Sequence, residues 1–526
     1  MELIRLTEPV KIELLREGRW TESWSKDILL EIKENGEIYV SAEESELSKI
    51  RFQYKLPEDM QNTYLYGDAW ERGYGNLKWS RNNNGRIMPW YCLMTDLKTV
   101  CGYGVKVLPN ALCFWTCEES SLLLTFDIRN GTEGLHLSGE KLRLAVLVAQ
   151  KYGNSVVEDI NNGQIGDQMA VSGLIHHAAG AFCRLMCDKP RKLKYPVYGG
   201  NDWYCNYGNS SYDKIIRHTE KIVECAQQKD NRPYMVIDAG WQKNFEKGNC
   251  GPWEPNEKFG DMKKLAEDIV KCGALPGIWI RPLLTGEEIK EHNILRRDGA
   301  CNVLDPSGEE NLKRIQADIR KIVNWGYRFI KLDFLTFDIC GKWGFSMGDE
   351  PFEGRVIFKD KTKTTAQIIK KLYRALRSSA GEDIVLLGCN TMSHLSAGIF
   401  DIQRTGDDTS GTDWELTKKM GINTLAFRMM QHQAFYAADA DCVGITKLIP
   451  WECNRKWLDV LAKSGTPLFV SIAEDAWSEN LKKDLQDAFK KAAVVHNPSI
   501  PIDCLEKQLP QKWVSDFGVD RYQWDE

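Results

Sequence analysis

The stretch Phe329-Ile330-Lys331-Leu332-Asp333-Phe334 is an apolar, strand-like run that carries two charged residues near its end. Lys331 and Asp333 are two residues apart, so on a strand their side chains point to the same side. A second stretch, Arg404-Thr405-Gly406-Asp407-Asp408-Thr409, places two carboxylates where another apolar run ends. Both lie where short apolar runs alternate with amphipathic segments, a pattern that predicts parallel strands joined by helices.

Eight strand candidates occur in this part of the chain. They are residues 195–201, 234–238, 274–280, 327–334, 384–390, 399–408, 434–441 and 467–472. Between the third and the fourth, an apolar stripe at helical spacing predicts an amphipathic helix. The stripe consists of Leu312, Ile315, Ile319, Ile322 and Val323. Eight such units over roughly 280 residues match a (β/α)₈ barrel. A doubly wound open sheet is the alternative, but no glycine-rich phosphate loop follows the first strand.

The 526-residue chain is long enough for two or three domains. Residues 1–187 predict an antiparallel β-sandwich, because alternating apolar and polar runs such as 50–56 are separated by Gly and Asn turns. After a polar, proline-containing boundary, residues 188–485 are predicted to form the barrel. Residues 486–526 are predicted to be a short C-terminal β segment or tail. The aromatic-rich and Gly-rich segment 64–90 is either a surface loop or a long loop that reaches a neighbouring site.

Composition limits the partners. A net charge of −5 and a pI near 6 argue against nucleic acid or an anionic membrane as partner. The 16 Cys are scattered through apolar runs without a C-x-x-C motif, which favours reduced thiols and a reducing compartment. Because no signal-like or 18-residue apolar run occurs, we expect a cytoplasmic protein, or a periplasmic or secreted one if a leader has been removed. Some of the 18 Trp could pack on sugar rings, although most are expected in the core.

In a (β/α)₈ barrel the active-site groups lie at the carboxyl ends of the strands. This rule selects Asp202, Trp203, Asp238, Trp241, Trp279, Arg281, Lys331, Asp333, Cys389, Asn390, Arg404, Asp407, Asp408, Asp439 and Asp441. The set is rich in carboxylates and Trp and poor in Ser and His, which argues against a nucleophilic triad. His394 and His432 are isolated, so no metal site is expected. Two carboxylates at barrel strand ends are the usual apparatus for cleaving a glycosidic bond.

The two charged stretches each allow two interpretations. The Lys331 ammonium beside Asp333 would lower the pKa of that carboxyl, as a nucleophile requires, or the two would form a structural ion pair. Asp407 and Asp408 would raise one another's pKa, which suits a general acid. Arg404 would act in the opposite direction and is expected to hold sugar hydroxyls. Alternatively, Asp408 would be the N-cap of the helix that begins near residue 414.

Together these segments resemble the α-galactosidase (melibiase) superfamily of retaining glycosidases. The resemblance is closest to glycoside hydrolase family 36 and more distant to family 27 of the same clan D. It covers residues 195–475 and extends more weakly to the N-terminal β region. It implies that Asp333 is the nucleophile and that Asp408 is the acid/base, with Asp407 as the alternative. Asp408 is preferred because it keeps the family's spacing from Arg404.

The resemblance also implies a set of sugar-binding residues. This set is Asp202, Trp203, Asp238, Trp241, Trp279, Arg281, Lys331, Cys389 and Arg404. Within it, Trp279 would line the pocket and Cys389 would reach the 2-hydroxyl of the sugar.

The chain departs from the family at one position. Ile237-Asp238-Ala239-Gly240-Trp241 is similar to the family's Asp-Asp-Gly-Trp/Tyr stretch, whose acidic pair holds the 4- and 6-hydroxyls of galactose. Here the second acid is replaced by Ala239. Since a hydrogen bond to a charged group is worth roughly 1.5–3 kcal/mol, its loss would shift the preference among galacto-configured sugars. β-L-Arabinopyranose, which lacks the 6-hydroxymethyl group, would not need that partner.

The resemblance therefore predicts a retaining exo-glycosidase acting on α-D-galactosides or a related pyranoside such as a β-L-arabinopyranoside. The alternatives are a galactosyl-transferring enzyme of the raffinose-synthase type and a carbohydrate-binding protein that has lost catalysis. No metal or organic cofactor is expected. The expected partner is an oligosaccharide or glycoside, and a homo-oligomer is left open.

Overall fold

The computed structural model describes residues 1–81, 85–118, 120–153, 167–227 and 230–525. Its N-terminal part contains twelve strands in two six-stranded antiparallel sheets. The strands are β1 (Lys11–Arg16), β2 (Arg19–Thr21), β3 (Ile28–Ile32), β4 (Glu37–Ala42), β5 (Lys49–Lys55), β6 (Tyr64–Gly67), β7 (Met88–Pro89), β8 (Tyr91–Thr95), β9 (Val100–Val105), β10 (Leu112–Glu118), β11 (Ser121–Asp127) and β12 (Leu142–Tyr152). The sheet orders are β2-β1-β5-β11-β10-β7 and β3-β4-β12-β9-β8-β6. The predicted β-sandwich is confirmed.

The period-two pattern of β5 shows why these residues form strands. Phe52 and Tyr54 are buried, whereas Gln53 between them is partly exposed. The Phe52 ring meets the edge of Phe126 on β11 at a centroid distance of 5.2 Å. One face of the strand therefore builds the core of the sandwich.

One long helix, α1 (Asp167–Met186), lies in the region whose sequence predicted only β structure. Its buried side chains recur at helical spacing, at Ile175, Ala179, Phe182 and Met186, and this period was missed. The helix packs on β9, where a Cβ at Gly102 would lie 2.5 Å from the Phe182 ring. The glycine therefore makes room for the helix on the sheet.

The rest of the chain forms a barrel with additional small sheets. Its strands are β13 (Tyr198–Asn201), β14 (Tyr234–Ile237), β15 (Gln242–Asn244), β16 (Cys250–Pro255), β17 (Leu275–Ile280), β18 (Leu284–Thr285), β19 (Ile294–Asp298), β20 (Cys301–Leu304), β21 (Phe329–Leu332), β22 (Val385–Gly388), β23 (Ile402–Arg404), β24 (Ala437–Asp439), β25 (Cys442–Ile445), β26 (Leu468–Ile472), β27 (Ile500–Pro501), β28 (Lys512–Ser515) and β29 (Gly518–Arg521). Its helices are α2 (Trp203–Asn206), α3 (Tyr212–Cys225), α4 (Met262–Cys272), α5 (Glu309–Asn324), α6 (Leu335–Cys340), α7 (Gly344–Met347), α8 (Thr365–Ala380), α9 (Ser393–Ser396), α10 (Trp414–Leu416), α11 (Thr424–Arg428), α12 (Trp451–Ser464) and α13 (Glu479–Ala492), with a π-helical turn at Thr417–Asn423 between α10 and α11.

The barrel sheet is parallel and has the order β24-β23-β22-β21-β17-β14-β13-β26-β25. All eight predicted strand segments contribute to it. The seventh, 434–441, contributes β24, and a short strand that was not predicted, β25, follows it after an interruption at Ala440 and Asp441. β24 pairs with β23, and β25 pairs with β26. The two short strands are the two edges of the sheet, and residues 440–441 connect them and close the barrel. The predicted (β/α)₈ barrel is confirmed.

The predicted apolar stripe lies on α5, where Leu312, Ile315, Ile319 and Ile322 are buried. Strands β27 to β29 form a small C-terminal sheet after α13. All 16 cysteines lie in the described ranges, and each is a free thiol. None of the helices in those ranges combines the length and the apolar content needed to cross a bilayer.

Candidate active site

The first candidate carboxylate, Asp333, follows the fourth barrel strand, β21. Its backbone N–H donates to the carbonyl of Ile280 on β17 at 3.0 Å. Its Oδ1 accepts the N–H of Phe334 at 2.8 Å, and its Oδ2 accepts the indole N–H of Trp279 at 3.0 Å. The side chain is half-buried. These two donors fix the plane of the carboxylate at the carboxyl end of the barrel.

The turn after Asp333 is strained and is held by Arg281. Phe334 has φ 60°, a conformation that costs roughly 1–2 kcal/mol for a residue with a side chain. The Arg281 guanidinium lies 4.2 Å from the Phe334 ring centroid and donates to Asp338 of α6 at 3.0 Å and to Asp298 at 2.7 Å. Arg281 was predicted to bind substrate, but its donors are engaged with these carboxylates. The structure places it as a support for the turn.

Trp241 is also withdrawn from the pocket, although it was predicted to bind substrate. It is 0% exposed, and its indole N–H donates to the carbonyl of Trp279 at 2.9 Å. Its ring packs near those of Trp253 and Trp325. Trp241 therefore lies behind Trp279 and orients the residue that binds the Asp333 carboxylate.

Lys331 forms its ion pair with Asp238 at 2.7 Å, so the predicted structural pair with Asp333 is not the one that forms. The same Asp238 oxygen accepts a hydrogen bond from the Asn201 side chain at 2.8 Å. Burial disfavours the Lys331 ammonium. The Asp238 carboxylate acts against burial, and acidic groups that include Asp408 and Asp333 add smaller effects in the same direction. Together they raise the Lys331 pKa well above its usual value. One buried cation thus interacts with carboxylates from both candidate stretches.

Asp202 supports Asp238 through a hydrogen bond with its backbone. Its Oδ1 accepts the backbone N–H of Asp238 at 2.7 Å, and burial raises the pKa of Asp202 to about 6. Trp203 is half-buried, with its ring 5.7 Å from that of Tyr207. Ala239 is buried and offers no side-chain acceptor beside Asp238. Asp238 is therefore the carboxylate that the segment after β14 directs at Lys331, and position 239 adds no second one.

The second candidate carboxylates, Asp407 and Asp408, follow the sixth barrel strand, β23. The Asp408 side chain is 49% exposed and accepts a hydrogen bond from Arg404 Nη2 at 3.2 Å. Arg404 is buried and also forms an ion pair with Asp441 at 2.9 Å. Its Nε has no hydrogen-bond partner among the described residues. Arg404 anchors Asp408 and keeps one buried donor available.

Asp408 does not cap the next helix, so that alternative is wrong. Helix α10 begins at Trp414 and is capped by the side chain of Asp413. The turn that contains Asp408 is fixed instead by Asp441, which accepts from the N–H of Thr409 at 2.8 Å and from its hydroxyl at 2.9 Å. Asp441 has φ 72° and lies in the break of the seventh barrel strand.

The loop between β6 and β7, which we call the sandwich loop, contacts the same turn. The Gly73 N–H donates to the carbonyl of Thr405 at 2.7 Å, and the Asp407 N–H donates to the carbonyl of Gly73 at 3.1 Å. Beside this backbone bridge, Arg72 Nη2 lies 2.7 Å from Asp407 Oδ1. Of the two interpretations of this segment, the loop that reaches a neighbouring site is the one observed.

The two adjacent carboxyls differ in pKa. Burial raises the pKa of Asp407, and Asp408 adds to this effect against the opposing charge of Arg72. For Asp408, desolvation acts in the same direction, but Arg404, Lys331 and Arg72 outweigh it and lower the pKa. The first proton that this pair takes up in the unliganded protein therefore resides preferentially on Asp407.

Cys389 lies at the end of β22, between the strands that lead to the two carboxylate sites. Its Sγ is 3.3 Å from Arg404 Nη1 and 3.8 Å from Arg72 Nη1. Burial, and then the Asp333 carboxylate, raise the pKa of the Cys389 thiol well above its usual value. The thiol is therefore a neutral contact between the two sites.

No protein-family model matches the chain. The α-galactosidase TtGalA of Thermus thermophilus, solved with p-nitrophenyl α-D-galactopyranoside, superposes with a TM-score of 0.61 and 17% identity over 97% of this chain and 98% of that chain. A variant of the family 36 α-galactosidase AgaA of Geobacillus stearothermophilus, solved with 1-deoxygalactonojirimycin, gives a TM-score of 0.58 and 13% identity over 92% of this chain and 70% of that chain.

This chain has the fold of the glycoside hydrolase family 36 α-galactosidases. The resemblance predicted from the sequence is therefore confirmed at the level of the fold. The α-galactosidase fold explains why an N-terminal β-sandwich accompanies the barrel.

Within this α-galactosidase fold, sequence reasoning missed the residues that the sandwich loop supplies. Glu71 and Arg72 are buried against the barrel although they belong to the N-terminal region. The only signal was the unusual density of Trp, Tyr and Gly in residues 64–90. Asp441 was predicted as a strand-end acid, but its contacts with Arg404 and Thr409 join segments more than 30 residues apart and have no local sequence signal.

Proposed function

We propose that the chain is a retaining exo-glycosidase for α-D-galactosides or a closely related galacto-configured pyranoside. The observation that carries the proposal is the placement of Asp333 after the fourth strand and of Asp407 and Asp408 after the sixth, at one end of a family 36 barrel. A buried Lys331–Asp238 pair lies near both. Such a carboxylate pair is what double displacement at a glycosidic carbon requires.

In the first step, a carboxylate oxygen of Asp333 attacks the anomeric carbon. The bond from that carbon to the leaving oxygen breaks, and the acid/base residue donates its proton to the leaving oxygen. In the second step, the same residue takes a proton from water, and the water oxygen attacks the anomeric carbon. The ester bond to Asp333 breaks, and the sugar leaves with its original configuration.

The acid/base residue is proposed to be Asp408, with Asp407 as the alternative. The Asp408 side chain is the more exposed of the two and is held by Arg404. The pKa directions favour Asp407 as the protonated member of the unliganded pair. The two properties point to different residues, so single substitutions must decide between them.

The sugar is proposed to bind over Asp238, Lys331 and Trp279. Asp238 and Lys331 offer a carboxylate and an ammonium to vicinal hydroxyls, and Trp279 lies beside the nucleophile. Because Ala239 offers no second acceptor, the site should accept a pyranose without the 6-hydroxymethyl group as well as galactose. The thiol of Cys389 is expected to crowd a 2-acetamido substituent.

Two measurements test the proposal. A panel of nitrophenyl α-D-galactoside, β-L-arabinopyranoside and α-N-acetylgalactosaminide should show turnover of the first or second and none of the third. A 2-fluoro glycoside of the accepted sugar should then trap the enzyme as an ester, and peptide mapping should locate the label on Asp333. A label on a peptide without Asp333 would refute the nucleophile, and no turnover of any galacto-configured substrate would refute the function.

A further inference from the structure

An aromatic cluster lies beside the candidate site and takes no part in the proposed chemistry. We call Tyr74, Trp343 and Phe345 the rim cluster. The Phe345 side chain is 64% exposed, and its ring meets the edge of Tyr74 at a centroid distance of 4.9 Å. Trp343 is half-buried and stacks on Phe337 at 4.5 Å. Together the three rings offer an exposed aromatic surface beside the site, to which an apolar face of a ligand could bind.

The rim cluster is held in place by a buried carboxylate of the sandwich loop. Glu71 accepts the backbone N–H of Gly344, which lies between two cluster members, at 2.9 Å. It also accepts hydrogen bonds from the Tyr74 hydroxyl and from the Asn390 side chain. A Cβ at Gly344 would lie 2.7 Å from Glu71 Cγ, so this close approach requires glycine. The cluster is therefore a fixed surface that the sandwich and the barrel build together.

Its position relative to the two carboxylate sites can be derived from its neighbours. The Trp343 ring centroid is 5.5 Å from that of Phe334, the residue that follows the nucleophile. On its other side, Trp343 lies 5.3 Å from the guanidinium of Arg72, which is bound to Asp407. The rim cluster thus lies on the side of the site where the acid/base pair is. The leaving group occupies that side, because the acid must reach its oxygen.

We propose that the rim cluster is the binding subsite for the leaving group, and that its occupant is the pyranose ring of a second sugar. The inference rests on the proposed function. Aromatic faces pack on the apolar face of a pyranose. The indole N–H of Trp343 has no acceptor within the described ranges and can donate to a hydroxyl of that ring.

The test compares two substrates that share the donor sugar accepted in the nitrophenyl panel. One is its disaccharide with glucose, linked in the anomeric configuration of the accepted nitrophenyl glycoside. The other is its glycosyl fluoride, whose leaving group has no ring to contact the rim cluster. The quantity measured is the ratio of kcat/KM for the disaccharide to kcat/KM for the fluoride.

Phe345→Ala and Trp343→Ala should each lower this ratio roughly 3- to 10-fold, as expected for the loss of one ring contact. Phe345→Tyr should restore most of it. The matched control is Phe517→Ala, an exposed ring on the turn between β28 and β29, which should leave the ratio at the wild-type value.

A ratio that stays constant in both rim variants would refute the subsite while leaving the proposed function intact. A drop of equal size in Phe517→Ala would refute it as well. If the wild-type chain releases fluoride from no galacto-configured fluoride, the proposed function fails, and the subsite fails with it.

Discussion

Arg72→Met would show whether the N-terminal sandwich tunes the acid/base pair. Arg72 is 3% exposed, and its Nη2 lies 2.7 Å from Asp407 Oδ1. Its Nη1 donates weakly to the carbonyl of Cys389 at 3.4 Å. Methionine keeps the apolar stem and removes the guanidinium, with its charge, its hydrogen bonds and its contacts with the Tyr74 and Trp343 rings. Comparison with Arg72→Lys, which keeps the charge, separates the electrostatic effect from the loss of these contacts.

The magnitude follows from the geometry. A cation within 4–6 Å lowers a carboxyl pKa by about 1–3 units. Because the Asp407 side chain is 31% exposed and solvent screens the pair, the lower end applies, about 1 unit. Removing Arg72 removes an effect that lowers the pKa of both Asp407 and Asp408. Both values should rise, so the acid should stay protonated to higher pH.

The assay is the pH dependence of kcat/KM on a nitrophenyl substrate, whose basic limb reports the acid of the free enzyme. In Arg72→Met this limb should move upward by about 1 pH unit if Asp407 is the acid, and by less if Asp408 is, because Arg72 pairs directly with Asp407 and acts on Asp408 less than Arg404 and Lys331 do. Arg72→Lys, which keeps the charge, should restore most of the wild-type position. Arg81→Met is the matched control, since Arg81 is an exposed arginine of the same loop. A limb that stays in place or moves downward, or the same shift in Arg81→Met, would refute the reasoning.

Three further outcomes are expected. Asp408→Asn should lower kcat/KM for an unactivated glycoside roughly 10²–10⁴-fold. The loss should be much smaller for a dinitrophenyl glycoside, whose leaving group needs no acid, and azide should restore turnover. If Asp407→Asn shows this pattern instead, the acid/base role belongs to Asp407. Trp279→Phe removes the 3.0 Å hydrogen bond to Asp333 Oδ2. Because a hydrogen bond to a charged group is worth roughly 1.5–3 kcal/mol, kcat/KM should fall at least about 10-fold, and an unchanged kcat/KM would contradict this. The pKa of Asp202 is about 6 in the folded protein, against an ordinary value of 3.8, so the folded state binds this proton more tightly than the unfolded state does. The contribution of Asp202 to the free energy of unfolding therefore falls as pH rises from about 4 to 6. Asp202→Asn should therefore gain up to about 3 kcal/mol relative to wild type between pH 4 and pH 7 in urea unfolding, and no gain would be contrary evidence.

The barrel could be predicted because its strands are buried on both faces and therefore occur as short apolar runs. The positions at which strands end could be predicted less well. Residues 399–408 were predicted as one strand, yet β23 covers only Ile402–Arg404. Thr405 and Gly406, which follow, are buried as well, and only Asp408 at the end of the segment is exposed. Burial alone does not distinguish a strand from a packed turn. The acid pair lies in that turn.

The partners of the charged groups could not be predicted from spacing. Lys331 and Asp333 share a side of one strand, which made them the expected pair. The ammonium instead binds Asp238, whose strand is separated from β21 by β17. Such a contact depends on the curvature of the closed sheet and on side-chain length. Neither property is encoded in the local order of residues along β21.

The sandwich loop contacts the turn that contains Asp407 and Asp408, and this contact could not be predicted from the sequence either. Gly73 and Gly406 meet as a backbone bridge although the chain between them contains most of the barrel. Gly406 has no alternative, because a Cβ there would clash with the carbonyl oxygen of Met420 in the π-helical turn. In sequence it is an ordinary turn glycine beside two acids. The geometry that makes it necessary exists only when both domains are folded. A barrel without the sandwich would leave the carboxylate of Asp407 without Arg72 as its counter-ion, so the N-terminal region supplies part of the charge balance of the candidate acid pair.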